Sequence, residues 1–477
     1  MNVKGLVKAL LSILGVIGFL MLIPTIIDPL YGYSVPMAFL YLGIIAVLLS
    51  VASAFIEAEP LTVTESMVVA NLTWILSSII SATALYRTIE VSFIDAFFES
   101  VSGFTGTGLT VFRNLDYMRP SVLIWRSIMQ WSGELGIVVF AIVIFPYFYR
   151  IGLRVYVAER PFKLEASFYR TAVEILKVYS ILTAIGFLIY FYTGMTIFES
   201  TSLIMTTIAT GGMSPYDHGY EVVFERSPAT YIPVMVFMFI GALNFSLLVR
   251  VYKGELGALK KSEEFRLYFS IAIIMSFLVA SSCILNDKHD LWRGFISGFF
   301  NNVSALSTTG FNIGSILALS DTTKVLLTVS MFIGAMSFST GGGIKALRLL
   351  IFIKRFKLWL LKVVSPTPIK KALTIDGVQI DEDEVSNALV FIVLHALVAL
   401  IGALIVSSQG YSFVDSLFEV VSAISCVGLS SGITSSTAPI GVKATLITLM
   451  LLGRLEYIQI ASIMGYFAWR KTMKGAV

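Results

Sequence analysis

An all-α integral membrane fold is what this sequence predicts: four fused span-pore-span units around a pseudo-fourfold axis, preceded by an N-terminal helix pair. Apolar stretches long enough to cross a bilayer recur from end to end, and a glycine-centred segment repeats four times between them. Lys and Arg gather in alternate loops, as they do in polytopic proteins.

Of 477 residues, 57% are hydrophobic and 13% charged, against roughly a quarter charged in a soluble domain. Mean hydropathy is +0.86. The formal charge of +4 reports topology, because no basic run with interleaved aromatics offers a nucleic-acid surface. Two cysteines, Cys283 and Cys426, make neither a disulfide framework nor a CxxC. His218, His289 and His395 are too scattered for a zinc site or a histidine triad.

The elements follow in order. Leu6 to Ile27 and Met37 to Ile56 are the helix pair of an N-terminal domain, residues 1–60. The first is too long for a signal h-region, has no small-residue cleavage site and runs at once into a second span, so it is expected in the mature protein. Pore unit 1 covers 61–152 and opens on the span Met67 to Leu85; unit 2 covers 153–255, unit 3 covers 256–365, and unit 4 covers 366–477 with Ala388 to Val406 as its first span. Basic residues mark the cytoplasmic loops: Arg150, Arg154, Arg160 and Lys163; Lys253, Lys260 and Lys261; Lys354, Arg355, Lys357, Lys362, Lys370 and Lys371; Arg470, Lys471 and Lys474. Both termini are then cytoplasmic.

The repeat stacks on one glycine: DAFFESVSGFTGTGLT on Gly108, ESTSLIMTTIATGGMS on Gly212, SGFFNNVSALSTTGFN on Gly310 and DSLFEVVSAISCVGLS on Gly428. Thirteen residues earlier stand Asp95, Glu199, Ser297 and Asp415, types that cap a helix N-terminus. Six earlier stand Ser102, Thr206, Ser304 and Ser422, and two later Thr110, Ser214, Asn312 and Ser430. About ten mainly apolar residues separate cap and turn, enough for a re-entrant half-helix and too few for a span.

Irregular backbone at membrane depth is tolerated only where protein buries it or it lines a wet cavity. Glycine at the anchor permits φ > 0, so successive carbonyls can face one way, and four such strands replace the hydration shell of a monovalent cation. Half-helix C-termini add negative potential. The stretches Thr105 to Thr110, Ala209 to Ser214, Ser307 to Asn312 and Ser425 to Ser430 carry no charge, which favours an alkali cation over a divalent one. The candidate filter is therefore Thr105, Gly106, Thr107, Gly108 and Leu109 in unit 1, and Ala209, Thr210, Gly211, Gly212 and Met213 in unit 2. Unit 3 contributes Ser307, Thr308, Thr309, Gly310 and Phe311; unit 4 contributes Ser425, Cys426, Val427, Gly428 and Leu429. A single such run between spans is usually a plain exposed loop; four in register are not.

These residues resemble the TrkH/KtrB family of potassium transporters, from about residue 60 to the C-terminus. RSIMQWSGELGIVV (Arg126 to Val139) resembles the family signature after the first filter, although Glu134 replaces an expected glycine. FMFIGALNFSL (Phe237 to Leu247), STGGGIKALR (Ser339 to Arg348) and LLGRLE (Leu451 to Glu456) resemble its counterparts. The extra N-terminal spans are similar to those of the TrkH branch, and four anchor glycines resemble potassium-selective members. The resemblance implies a plasma-membrane homodimer, one pore per protomer, potassium in the filter as the only metal, and a cytosolic ring of nucleotide-binding TrkA-like subunits. No GxGxxG unit occurs here, so a nucleotide would bind the partner, and this chain needs no covalent or catalytic cofactor.

The apolar run from Val325 to Leu361 is too long for one span and must tilt, protrude or break. Gly341, Gly342 and Gly343, after Ser337, Ser339 and Thr340, are where a break would fall. The expected element is an intramembrane gate loop below the filter, a role the resemblance also implies for Ser339, Thr340, the glycines and Lys345; close helix packing by small residues is the other reading. Arg454 lies inside the last apolar span and resembles the family arginine near that loop; a structural ion pair with Glu456 or Glu134 is the alternative. Lys345 and Arg348 also suit snorkelling to the interface. Pro366 to Glu384 suits docking of the regulatory ring, or a solvated loop with a helix N-cap. A cation symporter coupled to protons or sodium, with Glu134 or Glu456 as the coupling carboxylate, is the rival mechanism. A membrane enzyme reading STGGGIK as a phosphate cradle lacks the GxxxxGK[ST] spacing.

Overall fold

The computed structural model describes residues 2–59, 61–134, 168–364, 372–455 and 457. Glu456, the stretch 135–139 of the first signature, and the basic residues Arg150, Arg154, Arg160, Lys163, Lys370, Lys371, Arg470, Lys471 and Lys474 lie outside the described residues.

The N-terminal segment is α1 (Val3–Met21) and α2 (Ile23–Leu30), one apolar run of 28 residues, returning as α3 (Met37–Ser53). Small residues let α1 and α3 touch: a Cβ on Gly18 would overlap Ala46 and the Gly43 carbonyl. Such contact suits a bilayer, where van der Waals packing rather than the hydrophobic effect joins helices. Asp28 pins this pair to the rest of the bundle, accepting from Ser121 N–H and Oγ at 2.8 Å each and pairing with Arg119 at 2.8 Å. Its charge sits on the N-terminus of α6 (Pro120–Glu134), where the helix dipole favours an anion.

Four successions of span, half-helix, turn and span follow. The first is α4 (Val63–Thr88), half-helix α5 (Phe93–Phe104) and α6; the second is α7 (Phe168–Tyr192), half-helix α8 (Ile197–Ile208), α9 (Tyr231–Gly241) and α10 (Phe245–Tyr252). The third is α11 (Glu263–Leu285), half-helix α12 (Leu291–Ser307), α13 (Asp321–Ile333) and α14 (Ala346–Val364). A hairpin, β1 (Thr374–Ile375) with β2 (Val378–Gln379), leads to the fourth: α15 (Glu382–Ser407), half-helix α16 (Phe413–Ile424) and α17 (440–455). Among the described residues five helices are long and apolar enough to cross a membrane, six if the bent pair α9 and α10 is one span. Half-helices of 12 to 17 residues reach only about 18 to 26 Å at 1.5 Å per residue, short of a bilayer core.

Helix capping differs from the sequence expectation. Ser92, Thr196 and Ser412 are the N-caps, each accepting from the N–H of the acid three residues on, Asp95, Glu199 and Asp415, at 3.1 to 3.2 Å. A hydroxyl reaches the third amide from the cap, which leaves the acid in the first turn to complement the dipole. In unit 3 the cap is Asp290, accepting from Arg293 N–H at 2.8 Å. α12 therefore starts earlier, and Ser297 lies inside it with its hydroxyl bonded to the Arg293 carbonyl. The first-turn acids serve the assembly instead: Asp95 pairs with Lys443 of unit 4 at 2.5 Å, and Asp415 with Lys324 of unit 3 at 2.7 Å.

Two second spans are broken, and the breaks interlock. The apolar run predicted to break at Gly341 to Gly343 is non-helical over 334–345, a wider gap than the three glycines. A second break, which the sequence reading did not anticipate, bends α9 against α10 by 110°. Met336 N–H donates to Ala242 O at 3.1 Å and Phe245 N–H to Phe338 O at 3.0 Å, so each loop satisfies helix-end groups freed by the other.

Candidate functional site

The four anchor glycines meet at one place and in cyclic order. A Cβ on Gly108 would overlap the carbonyl oxygen of Gly211, on Gly212 that of Thr309, on Gly310 that of Val427, and on Gly428 that of Thr107. Each turn thus abuts the backbone just before the next anchor, and the fourth returns to the first. All four glycines have positive φ (83°, 68°, 88° and 98°), a region L side chains avoid. They are partly accessible while the residues on either side are buried.

A second left-handed residue precedes each anchor by two: Gly106 at 69°, Thr210 at 49°, Thr308 at 60° and Cys426 at 52°. Alternating hand turns successive carbonyls to the same side of a strand, whereas extended backbone alternates them. Sequence reading missed this because three of the four are not glycine. Such residues cost about 1–3 kcal/mol each unless their surroundings impose the conformation. Here the surroundings are partly the 334–345 loop: Thr210 Oγ1 bonds Thr340 Oγ1 at 3.0 Å, and Thr308 Oγ1 accepts from Gly342 N–H at 2.9 Å.

Each strand is joined to its half-helix alike. The carbonyls of Ser102, Thr206, Ser304 and Ser422 accept from Thr107, Gly211, Thr309 and Val427 N–H at 2.8 to 2.9 Å. The aligned polar column six residues before the anchor is thus used in all four units through its backbone. Glycines of the second spans allow close approach to the half-helix ends, since a Cβ on Gly133, Gly241 or Gly453 would crowd the carbonyl of Phe104, Ile208 or Ile424.

Buried side chains brace the outgoing strands. Glu99 accepts from Val111 N–H at 3.3 Å, Asn301 from Ile313 N–H at 2.9 Å and Glu419 from Ser431 N–H at 2.8 Å. Each sits nine residues before an anchor and holds the amide three after it. Unit 2 has Leu203 and Pro215 at those positions, and proline has no N–H to hold. The exchange is visible in the stacked repeats once the contact is known. Strand 2 is held instead from α6 of unit 1: Arg126 donates to Ser214 O at 2.6 Å and Nε to Glu99 at 2.7 Å, while Gln130 bonds Gly211 O and Met213 N–H. Glu199 stays within its unit, pairing with Arg226 at 2.6 Å and accepting from Tyr216. Burial, then that hydrogen bond, push the Tyr216 phenol up to about 12, so it remains a donor.

The 334–345 loop lies directly against the glycine-turn strands of units 2, 3 and 4. Thr340 Oγ1 donates to Gly241 O at 2.9 Å, a Cβ on Gly342 would overlap the Ser425 carbonyl, and one on Gly341 would crowd Thr308 Oγ1 and Ser307 O. Ser339 folds back onto Met336 O at 2.6 Å, and Lys345 donates to Gly341 O. Buried Glu264, at the start of α11, holds Ser337 N–H at 2.6 Å and its hydroxyl at 2.9 Å. Sequence reading passed over Glu264 because it lies 73 residues from its partner.

Arg454 pairs with Glu134 at 2.5 Å, donates to the carbonyls of Gly133 and Glu134, and lies 5.0 Å from the Trp74 ring centroid. The other carboxyl oxygen occupies the space a Cβ on Gly106 would need, so the glutamate in the glycine column of the signature backs strand 1. Arg454→Ala takes the paired cation from that buried carboxylate and is expected to cost about 3 kcal/mol, as breaking a buried pair does. Thermal unfolding of purified protein reads this; Arg454→Met with Glu134→Gln should recover most of it, and an unchanged melting point would remove the pair's structural role. His395, set aside as a metal or triad residue, lies between Ser425 Oγ at 3.3 Å and Tyr457 OH at 3.1 Å.

A family model described as TrkH, cation transport protein, matches residues 36–285 and 269–464. An uncharacterized cation transporter of Methanocaldococcus jannaschii is 27% identical over 483 residues, covering 99% of this chain and 98% of that protein. The Trk system potassium uptake protein TrkH of Vibrio parahaemolyticus is 30% identical over 396 residues, 80% of each chain. The crystal structure of the potassium transporter TrkH from Vibrio parahaemolyticus shares the fold, with a TM-score of 0.85 at 24% identity over 97% of this chain and 98% of that one.

Proposed function

The chain belongs to the TrkH family of cation transport proteins, and from that premise we propose that it moves potassium across the plasma membrane through the ring of four glycine turns. It is a multi-span membrane transporter and not an enzyme. The observation that carries the reading is the cyclic contact of each anchor glycine with the carbonyl before the next anchor. Backbone dipoles at that spacing replace water around an alkali ion without a charged side chain. Half-helices α5, α8, α12 and α16 end at the ring, and their negative ends add to the field.

In this reading the four units are bounded as the repeat divides them, and the 334–345 loop is the gate, because it bonds strands 2 and 3 and abuts strand 4 from one side. The basic loops and both termini face the cytoplasm, where a TrkA-like ring sets the loop's position, and the protein is a homodimer with one pore per protomer. The name of the Vibrio parahaemolyticus relative, a Trk system potassium uptake protein, supports potassium as the cargo.

The test is flux from liposomes holding the purified subunit, with potassium or sodium gradients alone. Potassium is expected to run down its own gradient about tenfold faster than sodium. Transport that appears only when a proton or sodium gradient is imposed would replace this reading with coupled symport.

A further inference from the structure

The four strands of the ring are not held alike, and the difference lies in one amide. Gln130, fully buried on α6, reaches across the seam between units 1 and 2. Its Oε1 accepts from Met213 N–H at 3.0 Å, which fixes the amide orientation because a backbone N–H can only donate. Its Nε2 therefore faces the Gly211 carbonyl, at 2.6 Å. That carbonyl lies just before an anchor glycine, at the level where each strand abuts its neighbour. Among the described residues no side chain donates to the matching carbonyls of Thr107, Thr309 and Val427. A Cβ on Gly211 would overlap the Gln130 amide, so the glycine leaves room for the side chain and not only for the turn.

We propose that Gln130 is a specificity-determining residue of the ring: by donating to Gly211 and accepting from Met213, it fixes the position and field strength of one of the four carbonyls at that level. The proposal rests on the reading of the ring as the ion path. Discrimination between potassium and sodium depends on the number and field of the coordinating dipoles. A carbonyl tied from behind at short range resists the inward shift that a smaller ion demands, and it offers that ion a weaker field. The lender is the neighbouring unit because strand 2 lacks the brace used in the other units: Leu203 stands at the bracing position, and Pro215, at the braced one, has no N–H. Arg126, one helical turn before Gln130 and on the same face, makes the companion bond to Ser214 O.

The experiment compares the full chain with Gln130→Leu and Gln130→Glu in liposomes, measuring potassium and sodium flux after a gel-filtration check. Gln130→Glu is close to isosteric, keeps an acceptor for Met213 N–H and sets an oxygen against Gly211 O, so it decides the matter if the leucine variant does not fold. The potassium-to-sodium ratio is expected to fall about tenfold in either variant, equivalent to about 1.4 kcal/mol. Trp131→Phe, which removes an indole bond to Thr183 at 3.1 Å on α7, is expected to keep the wild-type ratio. A folded, transporting Gln130 variant with the wild-type ratio overturns the proposal alone. A wild-type protein that passes both ions equally overturns the reading of the ring as well.

Discussion

Gly310→Ala is expected to lower potassium flux roughly 100-fold, the effect of about 2.7 kcal/mol on a barrier. Two causes act together. The residue has φ of 88°, and its Cβ would overlap the carbonyl oxygen of Val427, with Gly428 close behind. Relief requires strand 4 to move, which misplaces the carbonyls that would stand in for water. Gly314→Ala separates these causes: it has φ of 82° but nothing within 4 Å of its Cβ. It carries the same backbone strain, about 1–2 kcal/mol, without touching the ring. Flux through Gly314→Ala should stay near wild type, while Gly310→Ala should be nearly silent at equal membrane abundance. Equal flux in both variants would mean that the ring does not conduct.

Removing the intramembrane loop is expected to raise flux about tenfold, as loss of about 1.4 kcal/mol from a barrier would. The geometry makes the excision feasible, because the loop has a hydrogen-bonded neck. Ala346 N–H donates to Ala335 O at 2.9 Å, and Lys345 N–H to Ile333 O at 3.1 Å. Deleting 337–342 and closing the chain above that neck leaves α13 and α14 in place. The same cut takes away Thr340 and Gly342, which bond Thr210 and Thr308 in their left-handed conformations. Any loosening of strands 2 and 3 should then show as a lower potassium-to-sodium ratio beside the higher flux. A deletion that leaves both flux and its response to the cytosolic partner unchanged would end the gate reading. Glu264→Ala, which frees Ser337 without shortening the chain, should shift flux in the same direction by a smaller factor.

Much of this fold was legible in the amino-acid order, because a bilayer imposes strong local rules. Helices must satisfy their own backbone, so apolar length alone located the spans, and half-helices too short to cross stood out between them. The anchor glycines were found by stacking four copies. A position that needs positive φ and tolerates no Cβ repeats as one residue type, whatever its neighbours do. The break near Gly341 to Gly343 followed from excess apolar length and poor helix formers.

Tertiary structure alone decided the rest, and the reason is range. Thr210, Thr308 and Cys426 carry residue types that do not announce positive φ; for the two threonines the contacts come from the 334–345 loop, 130 and 34 residues away in sequence. Glu134, a departure from the motif, was one of two carboxylates the sequence offered to Arg454, and only the structure set it beside that arginine, 320 residues on. Leu203 and Pro215 depart from the other three copies of the repeat, and the strand they leave unbraced is held by Arg126 and Gln130 of the preceding unit. Local sequence determined which segments cross, turn and cap, since those costs are settled within a few residues. Only the closed ring decided which partners Arg126, Gln130, Glu134 and Arg454 meet, since each of these four bonds a group on another unit.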